Sequence, residues 1–108
     1  MEIRRDVFHA IADPTRRSIL ILVAAGAMGA GAIANNFSSS RQTISKHIQI
    51  LAECGLLIQQ QKGREIYYYI NSENMKQIAD FIEPFRQLWE ARFQKMDAIL
   101  DTLKNIEW

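Results

Sequence analysis

Ser38-Ser39-Ser40-Arg41-Gln42-Thr43-Ile44-Ser45-Lys46-His47-Ile48-Gln49-Ile50-Leu51 opens with hydroxyl groups and continues with apolar residues at helical spacing. The hydroxyl of Ser39 or Ser40 can accept a hydrogen bond from a free N–H of a first helical turn, and Ile44, Ile48 and Leu51 then form one stripe. The spacing predicts a capped helix over 40–54 with that stripe buried. Its other side carries Arg41, Gln42, Ser45, Lys46 and Gln49 with no carboxylate among them. Such side chains pair with phosphates and with base edges in a major groove. The plain alternative is a solvated polar face, and the neighbouring segments decide between the two.

A chain of 108 residues, 48% of them hydrophobic, suffices for one domain with a core and is too short for two. Its net charge of +1 is unevenly spread. Arg41, Lys46, Lys62 and Arg64 stand against Glu53 alone between 41 and 64, whereas 72–108 holds seven acids and five bases. A near-neutral protein can therefore offer a local positive surface to a polyanion. Cys54 is the single cysteine, which leaves no internal disulfide and no CxxC metal site, and a reduced cytoplasmic compartment is expected. Residues 18–40 carry no charge, but a membrane span needs ~20 strongly apolar residues. The half from Gly26 is mostly Gly and Ala and runs into Asn35-Asn36, while Asp6 and Asp13 upstream are wrong for a signal peptide. No membrane segment is expected.

Outward from the central helix the elements follow in order. Ile3, Val7 and Ile11, with Phe8 beside Val7, predict a short first helix ending near Ala12. Asp13-Pro14 then supplies an N-cap and a preorganised first residue for a helix that stops near Gly26. Arg16 and Arg17 sit at its start, where the dipole disfavours them; they are either solvated or paired with an anion such as Asp13 or a phosphate. A third helix is expected over Met28 to Phe37, starting late, near Ala30, because Gly29 and Gly31 each cost about 1 kcal/mol inside a helix. The short Ser-rich link to the next helix predicts a helix-turn-helix pair. After Gly55, Leu56 to Gln61 and Glu65 to Ile70 are β-favouring runs joined across Lys62-Gly63-Arg64, a hairpin with a cationic tip. Its second strand should turn Ile66, Tyr68 and Ile70 to the core and Glu65, Tyr67 and Tyr69 outward. Asn71 or Ser72 then caps a long helix with apolar residues at Ile78, Ile82, Phe85, Trp89, Phe93, Met96, Leu100 and Leu103, the seam of a helix packed lengthwise on another. Pro84 predicts a kink or break within it. The fold class is thus mainly α with a small β-hairpin.

In this order, Ala10-Ile11-Ala12-Asp13-Pro14-Thr15-Arg16-Arg17, Ile44-Ser45-Lys46-His47-Ile48 with Leu51, Gly55-Leu56, and Gly63-Arg64 before Tyr67-Tyr68 resemble the winged helix-turn-helix repressors of the ArsR family over nearly the whole chain. The resemblance implies one winged-helix unit, with the helix-turn-helix core and wing in 1–71 and a dimerisation helix in 72–108. It implies that Ser40, Arg41, Gln42, Thr43, Ser45, Lys46, His47 and Gln49 meet the bases and phosphates of double-stranded DNA. Lys62, Gly63 and Arg64 would touch the flanking backbone. A homodimer would be held by Val7, Phe8, Ile82, Phe85, Trp89, Phe93, Met96, Leu100 and Leu103. In the metal-responsive members a thiolate pair precedes the recognition helix; here Gly29 and Gly31 stand there. No histidine follows His47, and Asp80, Glu83, Glu90, Asp97 and Asp101 offer only hard oxygen ligands. The chain resembles the metal-independent, autorepressor-like branch, with no cofactor expected.

Three function classes compete. An enzyme has no supporting residues: His47 lies near no Cys, Ser-His-Asp grouping or carboxylate pair, and a DNA-backbone or packing role suits it better. Cys54 reads as a small buried hydrophobe rather than a redox switch. A winged-helix protein-interaction module would explain the near-neutral charge, and a DNA-binding repressor explains the face of 40–54. Trp89, Arg92 and Phe93 can line a pocket for an unknown effector or protein ligand, or belong to a core or dimer seam.

Overall fold

The computed structural model describes residues 6–106, and Ile3 of the expected first helix lies outside them. Five helices and three strands follow one another: α1 Val7–Ile11, α2 Pro14–Ala24, β1 Met28–Gly29, α3 Ala30–Ala34, α4 Arg41–Glu53, β2 Leu57–Lys62, β3 Glu65–Ile70 and α5 Ser72–Lys104. The chain divides into two compact units, Met1–Ile78 and Ala79–Trp108. The first turns of α5 fall in the first unit. The reason is packing: Ile78 is buried in the core of the first unit and Met75 packs against it.

Local chemistry starts and stops these elements. The Asp13 carboxylate accepts from Arg16 N–H at 3.1 Å, with Pro14 at the first helical position of α2. The Ser40 hydroxyl oxygen accepts from Thr43 N–H at 3.2 Å at the head of α4, and Asn71 Oδ1 accepts from Asn74 N–H at 3.2 Å at the head of α5. Side-chain caps of this kind satisfy donors that no helical carbonyl can reach. After α4 the chain reverses at Gly55, whose φ of +82° is costly for any residue with a Cβ. The Asn74 amide donates to the Gly55 carbonyl at 2.8 Å and so ties the first turn of α5 to the end of α4.

The core of the first unit gathers one face from each helix: Val7 and Ala10 of α1, Ile19, Leu20 and Val23 of α2, Ile33 of α3, and Ile44, Ile48 and Leu51 of α4, closed by Cys54, Leu56, Leu57 and Ile78. Cys54 is buried, as expected of a small hydrophobe. Val7 is 4% exposed, which corrects its assignment to a dimer interface: it already belongs to the core of its own chain. Phe8 beside it is exposed.

Three further expectations need correction. The sheet is not a bare hairpin but three antiparallel strands in the order β1-β3-β2, with Met28 opposite Tyr68 and Gly29 opposite Tyr67. The third helix does start at Ala30, as expected, but it ends at Ala34 rather than at Phe37, and Met28–Gly29 ahead of it is a strand. Within β3, Tyr68 and Ile70 do pack on the core, but Ile66 is 40% exposed because it lies toward the hairpin tip, beyond the reach of the helices. Finally, of the kink or break expected at Pro84 the break does not occur, since α5 is continuous through it. No helix among the described residues is long and apolar enough to cross a membrane.

The second unit is the remainder of α5. Arg86 bridges two acids on its surface, with both Glu83 oxygens accepting at 2.6 and 2.9 Å and Glu90 Oε1 at 2.6 Å. These contacts hold the Glu83 carboxyl at a pKa of about 2. Elsewhere on the helix Phe81, Ile82, Phe85, Leu88, Trp89, Phe93, Met96, Ile99, Leu100 and Leu103 are all exposed.

Candidate nucleic-acid interface

The interface is built on α4. Ile44, Ile48 and Leu51 anchor it in the core, so helical geometry forces the intervening positions outward. Arg41, Gln42, Ser45, Lys46 and Gln49 are all exposed. Ser40 and Thr43 have a different role in the free protein. Their hydroxyls lie 2.9 Å apart and the Ser40 oxygen holds the Thr43 N–H, so both are occupied in capping. At the far end Gln49 Nε2 donates to Glu53 Oε1 at 3.1 Å. An open groove of about 620 Å³ runs between α4 and the sheet, lined by Ser45, Gln49, Ala52, Glu53, Leu57, Gln59 and Tyr68.

His47 points the other way. Its Nδ1 lies 3.3 Å from Arg16 Nη1 and 3.9 Å from Asp13 Oδ2, and its side chain is 19% exposed. In the free protein it therefore takes the packing role, one of the two open from sequence, and seats α4 on the start of α2.

Arg16 is the centre of that seat. It is 8% exposed, donates through Nε to the Ala10 carbonyl at 2.8 Å and through Nη2 to the His9 carbonyl at 3.0 Å. Arg17 likewise donates to the Ile11 carbonyl at 2.8 Å. Both cations therefore cap the last carbonyls of α1, where the helix dipole favours them, and Arg16 is neither solvated nor free for a phosphate. Burial raises the pKa of the neighbouring Asp13 carboxyl, but the Arg16 backbone N–H and the His47 and Arg16 charges outweigh it and hold the group below its ordinary value. Sequence reasoning missed this Asp13–Arg16–His47 cluster. Half of it was legible, since a helix ending near Ala12 and another capped at Asp13 bring Arg16 next to the free carbonyls.

The wing is β2, β3 and their two-residue turn. Lys62 pairs with Glu65 across Gly63 and Arg64, and Gly63 has a φ of +63° while among the described residues none but glycine has a positive φ. That is the pattern of a type II′ hairpin turn, in which glycine takes the first central position. Lys62 Nζ lies 5.5 Å from the Tyr69 ring centre and 5.8 Å from that of Tyr67, contacts that attract a cation to the ring faces. Tyr69, then Tyr67, holds the lysine pKa above its ordinary value. The Tyr67 hydroxyl donates to Glu65 Oε2 at 2.6 Å. Lys62 is thus folded onto the tyrosines, and Arg64 is the cation at the open tip. Among the described residues, no group of three or more His, Cys, Asp or Glu side chains is placed to hold a metal ion.

A capped helix pair with the outer face of its second helix open, followed by a twisted hairpin, defines a winged helix-turn-helix protein. A helix-turn-helix domain family matches residues 11–60. The transcriptional repressor SdpR of Bacillus subtilis is 46% identical over 67 residues, covering 62% of this chain and 74% of that protein. An ArsR-like transcriptional regulator from Rhodococcus superposes with a TM-score of 0.66 at 32% identity, covering 86% of this chain and 88% of the other. A winged helix-turn-helix DNA-binding domain from Mycobacterium bovis, described as homodimeric and as a possible ArsR-family regulator, superposes at 0.62 with 28% identity over 75% of each chain. The chain belongs to the ArsR family of winged-helix transcriptional regulators, which are not enzymes.

Proposed function

We propose that this protein is a homodimeric repressor that binds an inverted-repeat DNA operator, reading it with α4 and steadying it with the wing. The observation that carries the reading is the outer face of α4, where Arg41, Gln42, Ser45, Lys46 and Gln49 are all exposed beside a wing tip bearing Arg64. Cations position such a helix on phosphates, whereas Gln42, Ser45 and Gln49 have the donors and acceptors that distinguish base edges. Ser40 and Thr43 lie at the helix N-terminus, where backbone N–H groups also favour a phosphate.

The exposed stripe of α5 supports the dimer, and so does the homodimeric state described for the Mycobacterium bovis relative. Ile82, Phe85, Trp89, Phe93, Met96, Leu100 and Leu103 form its seam, with Phe8 as a further apolar contact; Val7 takes no part. In this division of labour 1–71 is the reading head and 72–108 the dimerisation helix. A two-fold dimer places its recognition helices about 34 Å apart, one turn of duplex, which is why an inverted repeat is expected.

The test is duplex binding as a function of salt, on fragments selected from native genomic DNA. Affinity should fall steeply with salt. Gln42→Ala should relax sequence preference, and Lys46→Ala should weaken binding to all sequences alike and flatten the salt slope by about one unit. A folded Gln42→Ala, Lys46→Ala double variant with unchanged binding would overturn the assignment. Absence of any salt-sensitive duplex binding would leave the protein-interaction module as the better reading.

A further inference from the structure

A second concavity, of about 490 Å³, lies between α3 and the wing, and shares only Tyr68 with the groove beside α4. Two arginines line it from different elements: Arg41, the first residue of α4, and Arg64 of the hairpin turn. The first lies against the α3 backbone, where a Cβ on Gly31 would stand in ordinary contact, 3.4 Å from Arg41 Nη2. Among the described residues neither arginine side chain makes a hydrogen bond or an ion pair. The single carboxylate in the wall, Glu65, is engaged by the Tyr67 hydroxyl. Two unpartnered cations therefore converge on one space, and the rest of its lining includes the apolar Ala30, Ala32 and Ile66. Its volume is in the range of small-ligand sites, roughly 300–1,000 Å³.

We propose that this concavity binds a small organic anion, an apolar body bearing a carboxylate or a phosphate, with the oxyanion held between Arg41 and Arg64. Guanidinium groups suit either head group, since their paired N–H donors match two oxygens at once. A DNA phosphodiester is the other candidate occupant, but it brings no apolar body to meet Ile66, Ala30 and Ala32. Bound anion would take both arginines away from DNA, so the site would release the protein from its operator. That consequence rests on the DNA-binding function proposed above; the site itself does not.

The full-length protein is titrated at constant ionic strength with benzoate, phenyl phosphate, inorganic phosphate and the uncharged benzamide, and the amide resonances of Gly29, Gly31 and Gly63 are followed by NMR. Saturable shifts at Gly29 and Gly31 are expected with benzoate or phenyl phosphate, the tighter of the two identifying the head group. Benzamide and inorganic phosphate should bind about tenfold more weakly. Gly31→Val fills the wall against the flexible end of Arg41 and keeps both cations, and should weaken the anion about tenfold while leaving the salt slope of duplex binding unchanged. Arg64→Gln, at an exposed turn, should weaken it similarly in a chain whose fold is undisturbed.

No saturable shift with either aromatic anion would overturn the proposal. So would undiminished binding in a folded Arg64→Gln variant, or inorganic phosphate binding as tightly as both aromatic anions, which would leave the arginines as phosphate contacts only. Displacement of a fluorescent duplex by the same anions is read separately. Anion binding without any duplex binding removes the repressor function and keeps the site; duplex binding without anion binding does the reverse.

Discussion

Replacing Arg16 by Met is the most informative single change. Methionine keeps much of the aliphatic stem but deletes the guanidinium that caps the Ala10 and His9 carbonyls and touches His47. Leaving a buried acceptor without a donor costs about 1–3 kcal/mol. The bond to Ala10 is buried and that to His9 only partly so, which lets water replace the second. The expected loss is therefore about 2–4 kcal/mol, or about 1–2 M in urea midpoint at a slope near 2 kcal/mol/M, compared at equal protein concentration because the proposed dimer would couple unfolding to association. Arg17→Ala removes one exposed bond to the Ile11 carbonyl and should cost about 0.5–1 kcal/mol. Because Arg16 supports α4 without reaching solvent, Arg16→Met should also weaken operator binding at every salt concentration with no change of slope. Stability within about 0.5 kcal/mol of the parent would refute the capping role. A salt slope lowered by about one unit would make Arg16 a phosphate contact instead.

The wing predicts an asymmetry between its cations: Arg64→Ala should lower the salt slope by about 0.9, whereas Lys62→Ala, which removes a cation folded onto Tyr67 and Tyr69, should lower it less. Equal slopes for the two variants would show that Lys62 swings out to DNA. Sedimentation of the parent at micromolar concentration should give twice the chain mass, and Trp89→Ala with Phe93→Ala should yield monomer, since each ring is worth roughly 1.5–3 kcal/mol when buried. A persistent dimer of that variant would place the interface elsewhere. Asp13 predicts an acid limb: its folded pKa lies below the ordinary 3.8, so its contribution is complete at neutral pH and is lost as pH falls from the ordinary value through the depressed one. Asp13→Asn should flatten stability against pH in that window alone, and an unchanged acid limb would remove the carboxylate from the account. Zinc, cadmium and arsenite should not release the protein from DNA, given Gly29 and Gly31 ahead of α4; release at near-stoichiometric metal, read in the same duplex assay, would point to Cys54 and His47.

What the sequence determined by itself is whatever depends on neighbours within a few residues. Asp13-Pro14, Ser39 or Ser40, and Asn71 or Ser72 announce helix starts because a cap acceptor serves an N–H three residues on, and the structure caps these helices at Asp13, Ser40 and Asn71. Gly55 and Gly63 mark reversals because, among the described residues, only they take a positive φ. The spacing of Ile44, Ile48 and Leu51 likewise decided which face of α4 is open, since a helix turns the same way wherever it is placed. Tertiary structure decided what depends on distant partners. A two-residue strand at Met28–Gly29 has no periodicity to read and exists only because β3, some forty residues later, offers its edge. His47 and Arg16 are 31 residues apart, so neither the inward turn of the imidazole nor the burial of the guanidinium follows from local pattern. Val7 and Ile66 were apolar positions of the right period whose burial depended on how far the core extends: it reaches the first and stops short of the second. That Arg41 and Arg64 line one concavity belongs to the same class, because only folding brings a helix start, a hairpin tip and a Gly- and Ala-rich stretch to one place.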